Sequence, residues 1–173
     1  MRHKFYVLSV CAILILAACD RISRKGRELA DQAGNKVKSR ARDVAEKIFP
    51  VFDAHQADTK YNKKRFEEYL EVNVTDDVNA IYAYGDFLGA DYKVLIAFTC
   101  DSSTVQKIVL RKDLKLSGSR NDDGLLLSNQ FPWWDEKVIA RIQPYKKIEK
   151  SGDRLYLWYD KTTRKGYFQQ FSL

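Results

Sequence analysis

The chain has 173 residues, 31% of them charged and 45% hydrophobic, with a formal net charge of +7 at pH 7, enough for one globular domain beside a leader and a linker. The positive charge is uneven: Arg2 and Lys4 sit at the start, residues 20–48 hold nine basic against five acidic side chains, and residues 49–173 hold nineteen against eighteen. A nucleic-acid reader carries its positive field on the folded domain, so this distribution speaks against that class.

Residues 1–18 begin with the basic group Arg2, His3 and Lys4. Residues 5–16 are apolar except for Ser9, and the segment closes on Leu16-Ala17-Ala18-Cys19. The apolar run is shorter than the ~20 residues a spanning helix needs, and small residues precede the cysteine, as in a cleaved signal peptide. This sequence resembles the lipobox of bacterial lipoproteins. The resemblance implies cleavage after Ala18, acylation of Cys19 (palmitate among the chains), and anchoring in membrane lipid on the periplasmic side of a cell envelope. Asp20, directly after the cysteine, resembles the inner-membrane retention signal of enterobacterial lipoproteins. Cleavage at an ordinary signal-peptidase site and an uncleaved anchor are the competing readings.

Residues 19–50 read as the lipidated cysteine followed by a tether. Ile22, Leu29, Ala33, Val37, Ala41, Val44 and Ile48 recur at helical spacings, which predicts one long helix over 21–48, about 40 Å at 1.5 Å per residue. Its apolar stripe is narrow and alanine-rich, and Gly26 and Gly34 interrupt it. Two roles fit: an amphipathic helix partly packed on the domain, or a coiled coil pairing copies at the membrane. Its basic excess suits anionic headgroups. Pro50 ends the helix and residues 53–59 form a polar connector into a domain spanning 51–173.

Within that domain, Phe66, Tyr69 and Leu70 on one face predict a helix over 62–72. The period then changes to two. Residues 78–86 and 92–100 are strand-like and joined by a glycine-containing loop, a hairpin in which Tyr92, Val94, Ile96 and Phe98 share one face. Ser103-x-x-Gln106 has capping-box spacing, and Val105, Ile108 and Val109 predict a short helix after it. A weaker strand is expected over 125–128, and Pro132 is expected to open a helical turn running to about Ile142. Residues 145–148, 154–160 and 165–172 predict an antiparallel meander. Leu155, Leu157 and Tyr159 face one side of its middle strand, Tyr156 and Trp158 the other, so both sheet faces must be covered. These elements predict an α+β fold: a long N-terminal helix, then short helices packed on both faces of an antiparallel sheet that ends in a three-stranded meander.

Catalytic chemistry is sparse. The mature chain keeps one histidine, His55, too few for a zinc site without a neighbouring cluster. Asp101, Ser102 and Ser103 form a triad with His55 only if the fold brings them together, and capping by Ser103 explains the same residues locally. Asn121-Asp122-Asp123 lacks the regular ligand spacing of a calcium loop, and no phosphate-binding glycine motif is present. No catalytic residue, metal or cofactor is therefore assigned. Cys11 leaves with the leader and Cys19 carries the lipid, so Cys100 stands alone, read as a small buried residue at a strand end.

Aromatic residues supply the remaining lead. Trp133, Trp134 and Trp158 mark a C-terminal aromatic group that is mostly core, but adjacent tryptophans diverge. One of Trp133 and Trp134 is therefore expected to face a partner, with Asp135 and Lys137 at the rim and Tyr156, Trp158 and Phe168 nearby. Residues 91–104, Pro132-Trp133-Trp134 and Leu157-Trp158-Tyr159-Asp160 resemble stretches of uncharacterised envelope lipoproteins, a resemblance that implies no activity or site. The chain reads as a membrane-tethered, non-enzymatic lipoprotein that binds an envelope protein, in the manner of an inhibitor or immunity protein. A small envelope hydrolase built on residues 101–103 with His55, and a scaffold that oligomerises through the 21–48 helix, are the alternatives.

Overall fold

A computed structural model describes Lys36 and residues 50–88, 91–119 and 131–172. Two compact units divide the chain, Met1–Pro50 and Val51–Leu173. Apart from Lys36, the expected tether helix over 21–48 lies outside the described residues, as do the strand over 125–128 and the Asn121-Asp122-Asp123 turn.

In chain order the second unit holds α1 (Lys60–Leu70), β1 (Asn79–Leu88), β2 (Asp91–Thr99), α2 (Ser102–Arg111), β3 (Lys115–Leu116), α3 (Glu136–Ile139), β4 (Tyr145–Ile148), β5 (Arg154–Asp160) and β6 (Lys165–Phe171). The strands form one six-stranded sheet in the order β1-β2-β6-β5-β4-β3, antiparallel at every pairing. This overturns the expected α+β architecture led by a long helix. The described residues are mostly sheet, with three short helices of 11, 10 and 4 residues. Local stop signals keep the helices short. Glu71 leaves α1 in the left-handed conformation at φ 57°, and Asp113 does the same after α2 at φ 51°.

Period-two alternation divides the side chains between the two faces. On the first face Ile81, Ala83, Val94, Ile96, Phe98, Leu155, Leu157 and Phe168 pack with Phe66 and Leu70 of α1 and Val105 and Ile108 of α2. On the second, Leu95, Ala97, Tyr156, Trp158, Tyr167 and Phe171 pack with Trp134 and Ile139. Helices were expected on both faces. The second is met instead by residues 131–142, whose only helix is the four-residue α3. Large rings fill there the depth that a helix fills on the first face.

Helix starts also depart from expectation. Thr59 caps α1, its Oγ1 accepting from the Asn62 amide at 3.2 Å, so the helix runs about two residues ahead of the predicted 62–72. The capping box at Ser103 does not form. Ser102 and Ser103 lie inside the first turn of α2, behind Asp101, which makes no side-chain cap of its own. Asp77, from before β1, takes over: its carboxylate accepts from the Asp101 amide at 3.0 Å and from Thr104 Oγ1 at 2.8 Å. The turn opened by Pro132 likewise stops short of a helix to Ile142. Asp135 Oδ1 caps the Val138 amide at 3.1 Å, which delays the helix start until Glu136.

The polar connector is strapped to the edge of β1. Asn62 is fully buried. Its Oδ1 accepts from the Asp53 amide at 3.0 Å, and its Nδ2 lies 2.9, 2.9 and 3.0 Å from the carbonyl oxygens of Asp53, Gln56 and Ile81. Asp58 accepts from the amides of Ala80 and Ile81 at 3.0 Å each, holding Ala80 at φ 52° where β1 bulges. An edge strand left open invites pairing with other chains, and this strap covers part of it.

Candidate functional site

Alternation in β1 sends Ile81 and Ala83 into the first-face core and leaves Tyr82 and Tyr84 on the second face. Beside them the chain re-enters at Phe131 through a tight turn closed by Trp134 N–H to Phe131 O at 3.0 Å. The turn separates the two tryptophans. Trp134 goes inward, 4% exposed, and meets Trp158 and Tyr167 edge-on at 6.2 and 5.7 Å. Trp133 stays half-exposed, stacked on Tyr82 at 5.6 Å and on Phe131 at 5.1 Å. Its Nε1 donates to Ala54 O at 2.7 Å, fixing the ring against the connector. Tyr84 leans on Phe131 at 4.8 Å, and the exposed His55 ring meets Phe131 edge-on at 6.5 Å. The result is a contiguous second-face cluster of half-exposed rings: Tyr82, Tyr84, Phe131 and Trp133, with His55 at its margin.

Trp133 is thus the outward member of the expected group. Trp134 and Trp158 are core, the latter 1% exposed. Asp135 and Lys137 are exposed beside them. Tyr156 stacks on Trp158 at 5.4 Å. Phe168, expected nearby, belongs to the opposite face. Tyr82, Tyr84, Phe131 and His55 were not foreseen. The alternation of 81–84 carried a signal for the two tyrosines, but pairing them with Phe131 requires knowing that the 131–134 turn returns to β1. Burial pushes the Tyr167 phenol up to about 12, and it raises that of Tyr84 as well, aided by the Asp86 charge. Both stay neutral donors at ordinary pH. Lys93 lies over the Tyr84 ring at 5.9 Å, and its own pKa is lowered by burial.

The residues of the hydrolase alternative are not brought together. His55 packs on Phe131 at the second face, whereas Asp101, Ser102 and Ser103 start α2 on the first, with the sheet between. Asp101 pairs with Arg164. Cys100 is buried in the first-face core, and burial pushes its thiol up to about 12, which leaves it protonated and inert. Among the described residues no group of three His, Cys, Asp or Glu side chains could hold a metal ion, and no helix is long and apolar enough to cross a membrane. No family model, curated protein or solved structure matches the chain.

Proposed function

We propose that this chain is a lipid-anchored envelope lipoprotein, held at the inner membrane and facing the periplasm, whose domain binds a protein partner through its second-face aromatic cluster and performs no catalysis. The observation that carries the binding role is the cluster itself: four contiguous half-exposed rings around Trp133, backed by a rigid floor of Trp134 and Trp158. Isolated surface rings are ordinary, but a contiguous group is the composition of an interaction surface. Two of the four are tyrosines and one is tryptophan, residue types that give large contact area at little entropic cost and concentrate binding energy. Capture of one envelope protein, as an inhibitor or immunity protein does it, is the form of activity that suits a small anchored domain. The anchor rests on the lipobox at Cys19.

Two measurements test this. A photocrosslinking side chain placed at Tyr84 in the full chain, in its native envelope, should trap one protein of discrete mass, while the same group at the exposed Lys150 should not. Equal trapping at both positions, or none at Tyr84, refutes the surface. Cys19→Ala should abolish acyl labelling and leave the precursor unprocessed or released; persistent labelling refutes the anchor.

A further inference from the structure

α2 turns Thr104, Val105 and Ile108 into the first-face core, and the 100° step per residue carries Lys107, Leu110 and Arg111 to its outer side. Leu110 is 80% exposed and Leu116 of β3 is 57% exposed. A groove runs between them. One stretch, about 300 Å³, is lined by Val105, Gln106, Val109, Leu110 and Tyr145. It shares Val105, Gln106 and Tyr145 with a stretch of about 610 Å³ bordered by Leu116, Lys161 and Arg164. On the other flank of α2, a cleft of about 440 Å³ sets Lys107 and Arg111 beside Asn73 and Thr75.

Charge decides what this surface suits. Of the acids around it, Glu71, Asp113 and Asp101 are ion-paired with Lys112, Lys115 and Arg164, while Asp77 and Asp160 are held by threonine hydroxyls and backbone amides. Lys107, Arg111 and Lys161 have no ion-pair partner among the described residues. Exposed leucines set among uncompensated cations complement an anionic bilayer surface. The aliphatic chains reach the acyl boundary while the cations meet headgroup phosphates.

We infer that the outer face of α2, with Leu110, Leu116, Lys107, Arg111 and Lys161, docks on the anionic membrane surface to which the chain is anchored. This rests on the lipoprotein reading. The anchor favours lipid over an acidic protein segment as the occupant. Thirty residues lie between Cys19 and Pro50, so even a fully extended tether keeps the domain within about 110 Å of the bilayer. A tethered surface meets its target at high effective concentration, which lets a patch of two leucines and three cations stay occupied. Each cation near an anionic leaflet raises the docked population about fivefold. Docking by this face also leaves the aromatic cluster, on the opposite face of the sheet, free for a protein partner.

The test uses the full, acylated chain carrying Leu110→Cys with an environment-sensitive fluorophore, reconstituted in vesicles. Cys19 is acylated and Cys100 is buried, so the label goes to one site, and an 80% exposed position tolerates it. In vesicles with 30% phosphatidylglycerol in phosphatidylcholine, brominated lipid should quench the label at least threefold more than in pure phosphatidylcholine. The excess should vanish at 0.5 M salt and fall fivefold or more with Lys107→Glu and Arg111→Glu together. A label at Lys137→Cys, on the opposite face, should not respond. Quenching that is absent, independent of lipid charge, or equal at Lys137 overturns the docking. So does a Leu110 label that stays wet in pure lipid but is shielded in native envelope vesicles, which identifies a protein occupant. If the chain floats with vesicles while the Leu110 label stays wet, docking fails and the anchor stands; if it does not float, both fail.

Discussion

Asn62→Ala removes the side chain that ties the 53–58 connector to α1 and to the edge of β1. Four hydrogen bonds disappear: one accepted by Oδ1 and three shared by the two hydrogens of Nδ2, all from a residue with no solvent exposure. A net hydrogen bond is worth about 1 kcal/mol, and a buried group left unpaired costs more. Not every partner is stranded. Ile81 O still accepts from the Asp58 amide at 2.9 Å, and Gln56 is exposed enough to rehydrate. The net loss is therefore about 3 kcal/mol, or roughly 10 °C in Tm for a domain of this size. Urea unfolding followed by tryptophan fluorescence should show a lower midpoint with an unchanged slope. Asn62→Asp sharpens the test. A buried carboxylate facing carbonyl oxygens is disfavoured when charged, so its folded pKa lies above the ~3.9 of the unfolded chain. Its penalty is absent below that unfolded value and grows as pH rises through the window above it, making the variant closer to wild type at pH 4 than at pH 7. A loss below about 1 kcal/mol for Asn62→Ala, or an Asn62→Asp penalty that does not depend on pH, refutes the reasoning.

Asp77 should govern the acid limb of stability. Hydrogen bonds from Thr75, the Asp101 amide and Thr104 lower its pKa from 3.8 to about 2, so its contribution is complete above pH 4 and is lost as pH falls toward 2. Solvent screening holds that contribution to about 1 kcal/mol, and Asp77→Ala should lower stability at pH 7 while flattening the pH 4-to-2 decline in chemical denaturation. Gly166→Ala places a methyl 2.5 Å from Cε2 and Cζ of Phe98, a ring 2% exposed and locked edge-on to Phe66 at 5.0 Å; thermal unfolding should register a loss of about 2 kcal/mol, and an unchanged Tm means the ring can yield. Cys100 should resist thiol reagents at pH 8 in the folded chain and react fully in denaturant; rapid labelling of the native protein contradicts the burial that raises its pKa.

What the sequence could disclose follows from the range over which each determinant acts. The shared face of Tyr92, Val94, Ile96 and Phe98, and the doubly apolar middle strand at 154–160, are set by neighbours two residues apart, and the register between strands respects both. β3 has only two residues, too few for any period, and exists because β4 offers Lys146 and Tyr145 as partners. Asp77 accepts from the Asp101 amide, 24 positions on, and so takes the place of the Ser103 cap, a competition that local spacing cannot register. The long-helix expectation rested on periodicity alone, and the architecture built on it gave helices too large a share.

The candidate surface shows the same division. Divergence of Trp133 and Trp134 follows from adjacency, but which ring turns outward depends on Ala54 O receiving Trp133 Nε1–H from 79 positions away and on Trp158 and Tyr167 waiting edge-on for Trp134. The sequence places Trp158 with them because the C-terminal meander brings its strand near the Pro132-Trp133-Trp134 turn. The face it occupies is closed by Trp134 itself, so the ring expected to help bind a partner supports instead the one that remains outside. A substitution at Trp134 or Trp158 therefore acts on binding through the position of Trp133, whereas one at Tyr84 leaves the Trp133 stack on Tyr82 and its bond to Ala54 O in place. That difference makes Tyr84 the position at which loss of a partner depends least on how Trp133 is seated.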